Sequence, residues 1–522
     1  MWCIFVPHEV RLRTHDPWVS DWAFEEGTTL DDLCRLSATA AVDLLRRRKI
    51  SPLELLDAAA ARIAETEPSL NAIPTLCLDR ARDHAKALMR SPPADPPAHF
   101  LHGLPIVVKD NVEVKGVRCT FGSPIFADHV SPESDVVVHR LESNGALVVG
   151  KSNIPEFAAG GNTFNEVFGI TRNPWNTDYT PGGSSGGTAA ALAAGQVWLG
   201  TGNDFGGSIR LPASFCSLVG LRPTAGTVPR VQKQPYSPLN VEGPLARSVT
   251  DCALMLECEA GGHPLDPLST PIAPGTFMQA AASPSRPKLT ALSLDLGGVA
   301  PTIAPEVARL FGLLGEKLAG AGCDVEQACP DLRDAVSIFR TLRGVAFVGN
   351  MRTLLATERN RLKPDVIANA EFGSGLTIDD VVSAELAHGD LVRRVARFFE
   401  RFDVLICPAV LCPPVRVEER YVPVLNGVEL GDYLGWLVMT CAISATGCPV
   451  LALPCGFTRD GLPVGVQVIG PARSEARLLA IGAFLEQVLD VSPRAPIEPR
   501  SAAMAAMADP ARPSAGMGRP AT

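Results

Sequence analysis

A chain of 522 residues is about three and a half times the roughly 150 of an average domain, which leaves room for one large α/β unit with a sizeable core. Apolar residues make up 46%, charged residues 20% and aromatic residues 6%, a globular balance that excludes a wholly disordered, collagenous or disulfide-stapled protein. With 47 Lys+Arg against 56 Asp+Glu, a net charge of −9 and no basic run longer than Arg46 to Lys49, neither nucleic acid nor an anionic membrane is expected as a main partner.

Residues 1–30 read as an N-terminal extension without the basic region, apolar stretch and cleavage site of a secretion signal, so a cytoplasmic location is expected. The 14 cysteines contain no CxxC pair, which fits a reducing compartment and no zinc site. A helical preface is expected over 31–90. Ser37 caps a predicted helix from Ala38 to Lys49, and Ser51-Pro52-Leu53-Glu54 sets a capping box with Pro in the first turn of the next. Ser91 to Pro97 is a Pro-rich loop.

A catalytic core is expected at about 100–230. Its apolar runs Leu104 to Val108, Ala146 to Val149 and Val197 to Thr201 are short and β-branched, and longer segments separate them, which predicts a sheet buried on both faces. Thr188 to Ala194 predicts a small-residue helix able to lie close to that sheet. The uncharged stretches Tyr179 to Asn203 and Tyr433 to Thr458 carry too many Gly and Pro for membrane spans, and buried strands and loops are expected there. Ser283 to Pro287 reads as a surface connection, and Pro305 to Leu318 and Val381 to Phe399 as amphipathic helices. A substrate-chamber region at about 300–440 completes a single domain over 31–498, followed by a disordered tail at 499–522.

The densest chemical signal is Pro181-Gly182-Gly183-Ser184-Ser185-Gly186-Gly187, followed by Asn203-Asp204-Phe205-Gly206-Gly207-Ser208-Ile209-Arg210. Glycines beside a serine let consecutive backbone amides converge on one point, as a developing oxyanion requires. Serine needs a base, and neither motif contains one of the nine histidines. Lys109, at the end of Leu104 to Val108, is a candidate, because desolvation disfavours an ammonium and leaves a neutral amine. By position alone, an exposed lysine at a strand end is the simpler reading. The two ordered glycine-serine motifs shift the balance.

These residues resemble the amidase signature family. Gly182 to Ala213 follows that family's pattern, and Leu104 to Asn111 resembles its lysine motif. Similarity continues through Val149 to Phe157, Asn173-Pro174-Trp175, Gly220 to Thr224 and Gly461 to Gly470, covering roughly residues 30 to 490. The resemblance implies an α/β fold, a single large domain with a central mixed twisted β-sheet covered by helices on both faces.

It also implies a Ser-cisSer-Lys triad: Ser208 as nucleophile, Ser184 as the bridging serine with a cis peptide bond, and Lys109 as base. The oxyanion hole would be the backbone amides of Phe205, Gly206, Gly207 and Ser208. Ser185, Asp204 and Arg210 are expected to support the loops, Cys216 to pack, and Phe157 and Ala158 to meet substrate. No cofactor or metal is expected. The expected activity is cleavage of C–N bonds in neutral, moderately apolar amides, aryl or aliphatic, with esters and carbamates as alternatives, through an acyl-enzyme. The expected partner is a small-molecule amide, with a homodimer left open.

Phe205 and Asn203 depart from residues that are commonly Thr or Ile and Thr in the family, which implies a bulkier wall. The catalytic subunit of glutamyl-tRNA amidotransferase usually shows Met-Asp before Glu-Phe-Ala, whereas Ile154-Pro155 stand here, which argues against that second reading. A Ser-His-Asp hydrolase, with Ser184 in a G-x-S-x-G elbow and His263 or His388 as base, lacks the strand an elbow needs before it. A non-catalytic binding protein that depends on a second chain is the rival from a different class.

Overall fold

The structure is a computed structural model that describes residues 29–501. Most of the expected extension 1–30 and tail 499–522 lies outside the described residues. Arg500, at the start of that tail, belongs to the body: its amide donates to the Pro174 carbonyl at 3.0 Å and its carbonyl accepts from Thr177 at 2.8 Å.

Eleven strands form one sheet. In chain order they are β1 (Thr75–Leu76), β2 (Pro105–Lys109), β3 (Leu147–Ser152), β4 (Leu199–Asp204), β5 (Val219–Arg222), β6 (Val241–Ala246), β7 (Leu289–Leu292), β8 (Asp324–Gln327), β9 (Val404–Pro408), β10 (Val450–Phe457) and β11 (Pro463–Ile469). Their spatial order is β1-β3-β2-β4-β6-β5-β10-β11-β9-β7-β8. Strands β3, β2 and β4 run parallel, as do β9, β7 and β8, while the strands between them pair antiparallel. The sheet is therefore mixed.

Both faces are covered. Ile106 and Val108 of β2 and Val148 of β3 join one hydrophobic cluster, whereas Val107, Leu147 and Val149 join another with Leu56, Ile63 and the alanines 189–194. A period of two that sends apolar side chains to both sides is what a sheet sandwiched by helices requires.

The helix Pro52–Leu70 starts as its sequence predicts: Ser51 Oγ accepts from the Glu54 amide at 3.2 Å and Glu54 Oε2 accepts from the Ser51 amide at 2.7 Å. The preceding helix, capped by Ser37, spans Ala38–Arg46 and stops short of Lys49 because Arg48 turns to φ 56°. The small-residue helix occupies Gly186–Ala193, and the two amphipathic segments form Pro305–Gly320 and Ile378–Phe398.

The first uncharged stretch holds the expected small-residue helix and β4, whereas the second differs from expectation by holding helices as well as a strand. Tyr433–Trp436 and Val438–Ala445 are helical, and every residue of the second is buried, so its apolar sequence reflects a helix enclosed by protein. Among the described residues no helix is long and apolar enough to cross a membrane.

Candidate active site

Strand β2 carries Lys109 into the interior as its last residue. The side chain is fully buried, and the backbone amide is fixed by Thr201 Oγ1 of β4 at 2.9 Å. Lys109 Nζ lies 2.8 Å from Ser184 Oγ, 2.7 Å from Asn203 Oδ1 and 3.4 Å from the Asn203 carbonyl. Among the described residues no carboxylate pairs with it. Lys151, the neighbouring buried lysine on β3, has Asp110 at 3.7 Å and gives a hydrogen bond to the Val112 carbonyl at 2.6 Å.

Burial drives the Lys109 amine down to a pKa of about 7, against a weaker upward pull from the buried carboxylates of Glu242 and Asp204. Glu242 is itself held by Arg230 at 3.0 Å, and burial raises its carboxyl. Near neutral pH the amine is thus divided between its neutral and charged forms.

Ser184 lies in the loop before the helix Gly186–Ala193, and the Gly183–Ser184 peptide is cis. The segment leading to it, 174–181, is irregular, so the strand required by a nucleophile elbow is absent there. His388 is committed to the Ala445 carbonyl at 2.9 Å, and His263 Nδ1 accepts from the Leu265 amide at 3.3 Å. Neither lines the serine cavity.

Ser208 sits in the turn between β4 and the helix Arg210–Phe215. That turn is held from below by Asp204, whose Oδ1 accepts from the Gly207 amide at 2.7 Å and whose Oδ2 accepts from the Ile209 amide at 3.1 Å. Arg210 grips both Asp204 oxygens, at 2.8 and 3.0 Å, and extends to the Thr440 carbonyl, Gln467 Oε1 and Ser444 Oγ. Burial alone would raise the Asp204 carboxyl, but the Arg210 guanidinium outweighs it and holds the group well below the usual carboxylate range.

Gly207 takes φ 124°, and a Cβ there would stand 2.3 Å from Thr440 Oγ1, so glycine is required on both counts. One expectation changes here. The Gly207 amide is already committed to Asp204, which leaves Phe205, Gly206 and Ser208 as the candidate oxyanion donors.

Ser184 and Ser208 face one cavity of about 680 Å³. The backbone brings them together, since the Ser185 amide donates to the Ser208 carbonyl at 3.2 Å. Among the described residues no hydrogen bond joins the two hydroxyls, and Ser185 Oγ is buried without a partner. Cys216 packs as expected: it is fully buried, and its Sγ lies 3.6 Å from the Pro181 carbonyl.

Phe157 and Ala158 both line the cavity, from a turn in which they adopt φ 48° and 55°. Glu156 anchors that turn, accepting from Ser123 Oγ at 2.6 Å and from the Lys363 amide at 2.8 Å. Phe121, Phe126, Phe205, Phe347, Met351 and Leu354 complete an aromatic and apolar wall. Within the expected chamber region of about 300–440, the stretch Leu411 to Trp436 contributes nothing to the cavity lining, and Trp436 instead packs against Gly161.

Sequence reasoning missed several residues at the site. It treated Asn203 only as a bulkier wall residue, whereas Asn203 contacts the amine. Asn111, within the lysine motif, accepts from Asn203 Nδ2 at 3.0 Å. Glu242 and Arg343 are far away in the chain and carry no local motif. His129, set aside with the other histidines, lines the cavity and pairs with Glu113 at 2.9 Å.

Comparisons with known proteins give a family and a fold. The family model for Amidase matches residues 54–479. A glutamyl-tRNA(Gln) amidotransferase subunit from Moorella thermoacetica is 34% identical over 495 residues, covering 89% of this chain and 99% of that protein. Among solved structures, a bacterial aryl acylamidase of the amidase signature family superposes with a TM-score of 0.81 at 28% identity, over 87% of this chain and 96% of that one. A 6-aminohexanoate cyclic dimer hydrolase gives 0.78 at 28% identity, over 89% and 99%.

Proposed function

This chain belongs to the amidase signature family of enzymes acting on C–N bonds, and on that basis we propose that it hydrolyses linear amides with an apolar or aryl body through Lys109, Ser184 and Ser208. The observation that carries the reading is the 2.8 Å contact between a buried, carboxylate-free lysine and Ser184 on the wall that also holds Ser208.

In this reading Ser208 Oγ attacks the amide carbon while its proton passes to Ser184 and the Ser184 proton passes to the neutral Lys109 amine. The carbonyl electron pair moves onto oxygen, where the Phe205, Gly206 and Ser208 amides receive it. Collapse of the tetrahedral intermediate breaks the C–N bond, and the proton returns through Ser184 to the departing amine. Water then attacks the acyl-Ser208 ester by the same relay, releasing the acid and restoring the hydroxyl.

The aromatic wall supports an aryl or bulky apolar group beside the reacting amide, with esters and carbamates as weaker substrates of the same machinery. A second reading, membership of a glutamyl-tRNA amidotransferase complex, is favoured by the 34% identity to such a protein and would need partner chains. The deciding experiment is turnover of acetanilide and p-nitroacetanilide by the purified chain alone. Hydrolysis that disappears in Ser208→Ala supports the first reading, and activity only after amidotransferase partners are added supports the second.

A further inference from the structure

Arg343 stands on the helix Ala335–Thr357 and borders the chamber of Ser184 and Ser208, although it is only 5% exposed. Taking a guanidinium out of water is costly unless an anion compensates it. Among the described residues no carboxylate does so. Asp432 is taken by Arg340 at 2.6 Å, Glu242 by Arg230 at 3.0 Å, and Asp365 by Arg420 at 2.9 Å.

The guanidinium is instead held flat by aromatic faces: its central carbon lies 4.3 Å from the Phe347 ring centre, 4.9 Å from that of Phe205 and 5.9 Å from that of Tyr433. Its Nε donates to Asn369 Oδ1 at 3.2 Å and its Nη2 to Tyr433 Oη at 2.6 Å. Nη1 has no protein acceptor among the described residues. Arg210, fully buried beside Asp204, has its Nε and both terminal nitrogens engaged by contrast. Arg343 is oriented by protein, borders the chamber and keeps Nη1 without a protein acceptor among the described residues.

We propose that Arg343 is the receptor for a carboxylate on the substrate, so that the preferred amide joins its apolar or aryl body to one anionic end. A planar carboxylate suits the single open edge of a guanidinium lying between rings, which offers too few donors for a phosphate dianion. Phe205 ties the receptor to the reaction. Its ring lies under Arg343 and its backbone amide is a candidate oxyanion donor, so a carboxylate held at Nη1 sets the position of the scissile carbonyl. The inference rests on the chamber being the substrate site and departs from the expectation of an uncharged substrate.

Two matched pairs of amides test it: glutaryl p-nitroanilide against its terminal carboxamide, and 4-acetamidobenzoate against 4-acetamidobenzamide, which place the carboxylate on the acyl and amine sides respectively. In at least one pair the wild type should favour the carboxylate by about tenfold or more in kcat/KM, as expected for a charge-assisted hydrogen bond in a dry site. That preference should fall to about one in Arg343→Met and survive in part in Arg343→Lys. Equal or better hydrolysis of the neutral member in both pairs, or an Arg343→Met enzyme that keeps the preference, overturns the proposal.

Calorimetric titration of 4-acetamidobenzoate into Ser208→Ala protein separates the receptor from the relay, because it needs no turnover. Binding at least about tenfold tighter than the benzamide supports the proposal, and equal binding of both, together with equal binding of glutaryl p-nitroanilide and its carboxamide, overturns it whatever the fate of the relay. Thermal unfolding of each variant confirms that a folded protein is compared.

Discussion

Lys109 and Asn203 meet through two contacts, Nζ to Oδ1 at 2.7 Å and Nζ to the carbonyl oxygen at 3.4 Å. A neutral amine has two N–H bonds and one lone pair. With Asn203 accepting at both its oxygens, the lone pair is left for the Ser184 hydroxyl. Asn111 fixes which way the Asn203 amide faces, by accepting from Nδ2 at 3.0 Å. Replacing Asn203 with Leu should therefore lower kcat by about 10- to 100-fold through loss of orientation. The acid limb of the pH profile should also move to lower pH, since an acceptor of the ammonium protons is lost. A kcat–pH series on purified Asn203→Leu checks both effects.

The three relay residues should differ in severity. Ser208→Ala should remove turnover to the limit of detection, a loss of about 10⁴-fold or more. Lys109→Ala and Ser184→Ala, which act on the proton, should cost about 10²–10⁴-fold. Single-turnover assays with mass detection of the acyl-enzyme are decisive: acyl adduct on Ser208→Ala protein would refute the nucleophile assignment.

Activity should rise with pH through about 7 as Lys109 loses its proton. Stability carries the same signature. The folded pKa lies below that of an unfolded lysine, so the fold bears the full cost of the buried ammonium below about 7, and the cost declines as pH rises from there towards the unfolded value near 10.5. The melting-temperature gain of Lys109→Met over wild type should accordingly be larger at pH 6 than at pH 9. A gain that grows with pH would contradict a depressed amine.

Asp204→Ala should destabilise the protein by about 3–5 kcal/mol, because it leaves the fully buried Arg210 without its counter-charge and releases the Gly207 and Ile209 amides. Urea unfolding measures the loss. Asp204→Asn, which keeps the shape and loses the charge, should recover only part of it.

Phe126→Ala and Phe157→Ala enlarge the chamber without touching the relay. Each should raise KM for an aryl amide by about 10-fold or more while changing kcat less, as expected for lost apolar burial shared by ground and transition states. Steady-state kinetics with acetanilide tests this.

The local half of the site was legible because its signals are contiguous. Glycines around Ser184 and Ser208, an apolar run ending in Lys109 and a capping box at Ser51 each lie within a few residues of sequence. Arg343, Glu242 and Trp436 were not legible in the same way, since their roles arise from packing between elements separated by up to hundreds of residues. Asn203 was seen as a wall residue, and it does line the cavity, but its second role against Lys109 was missed. An asparagine beside a glycine loop looks like a wall residue until the strand register places it against the lysine of β2. The uncharged stretches show a different limit: uniform hydrophobicity marks enclosure but not helix or strand, because a fully enclosed element has no polar face to reveal its period.

The clamp on the Ser208 turn draws its parts from distant stretches of the polypeptide. Arg210 holds Asp204 locally, but it is seated by the Thr440 carbonyl, Ser444 and Gln467, more than two hundred residues later. The turn that presents Ser208 is therefore fully braced only when residues 440–467 have joined the fold, which ties the geometry of that loop to the completeness of the whole sheet.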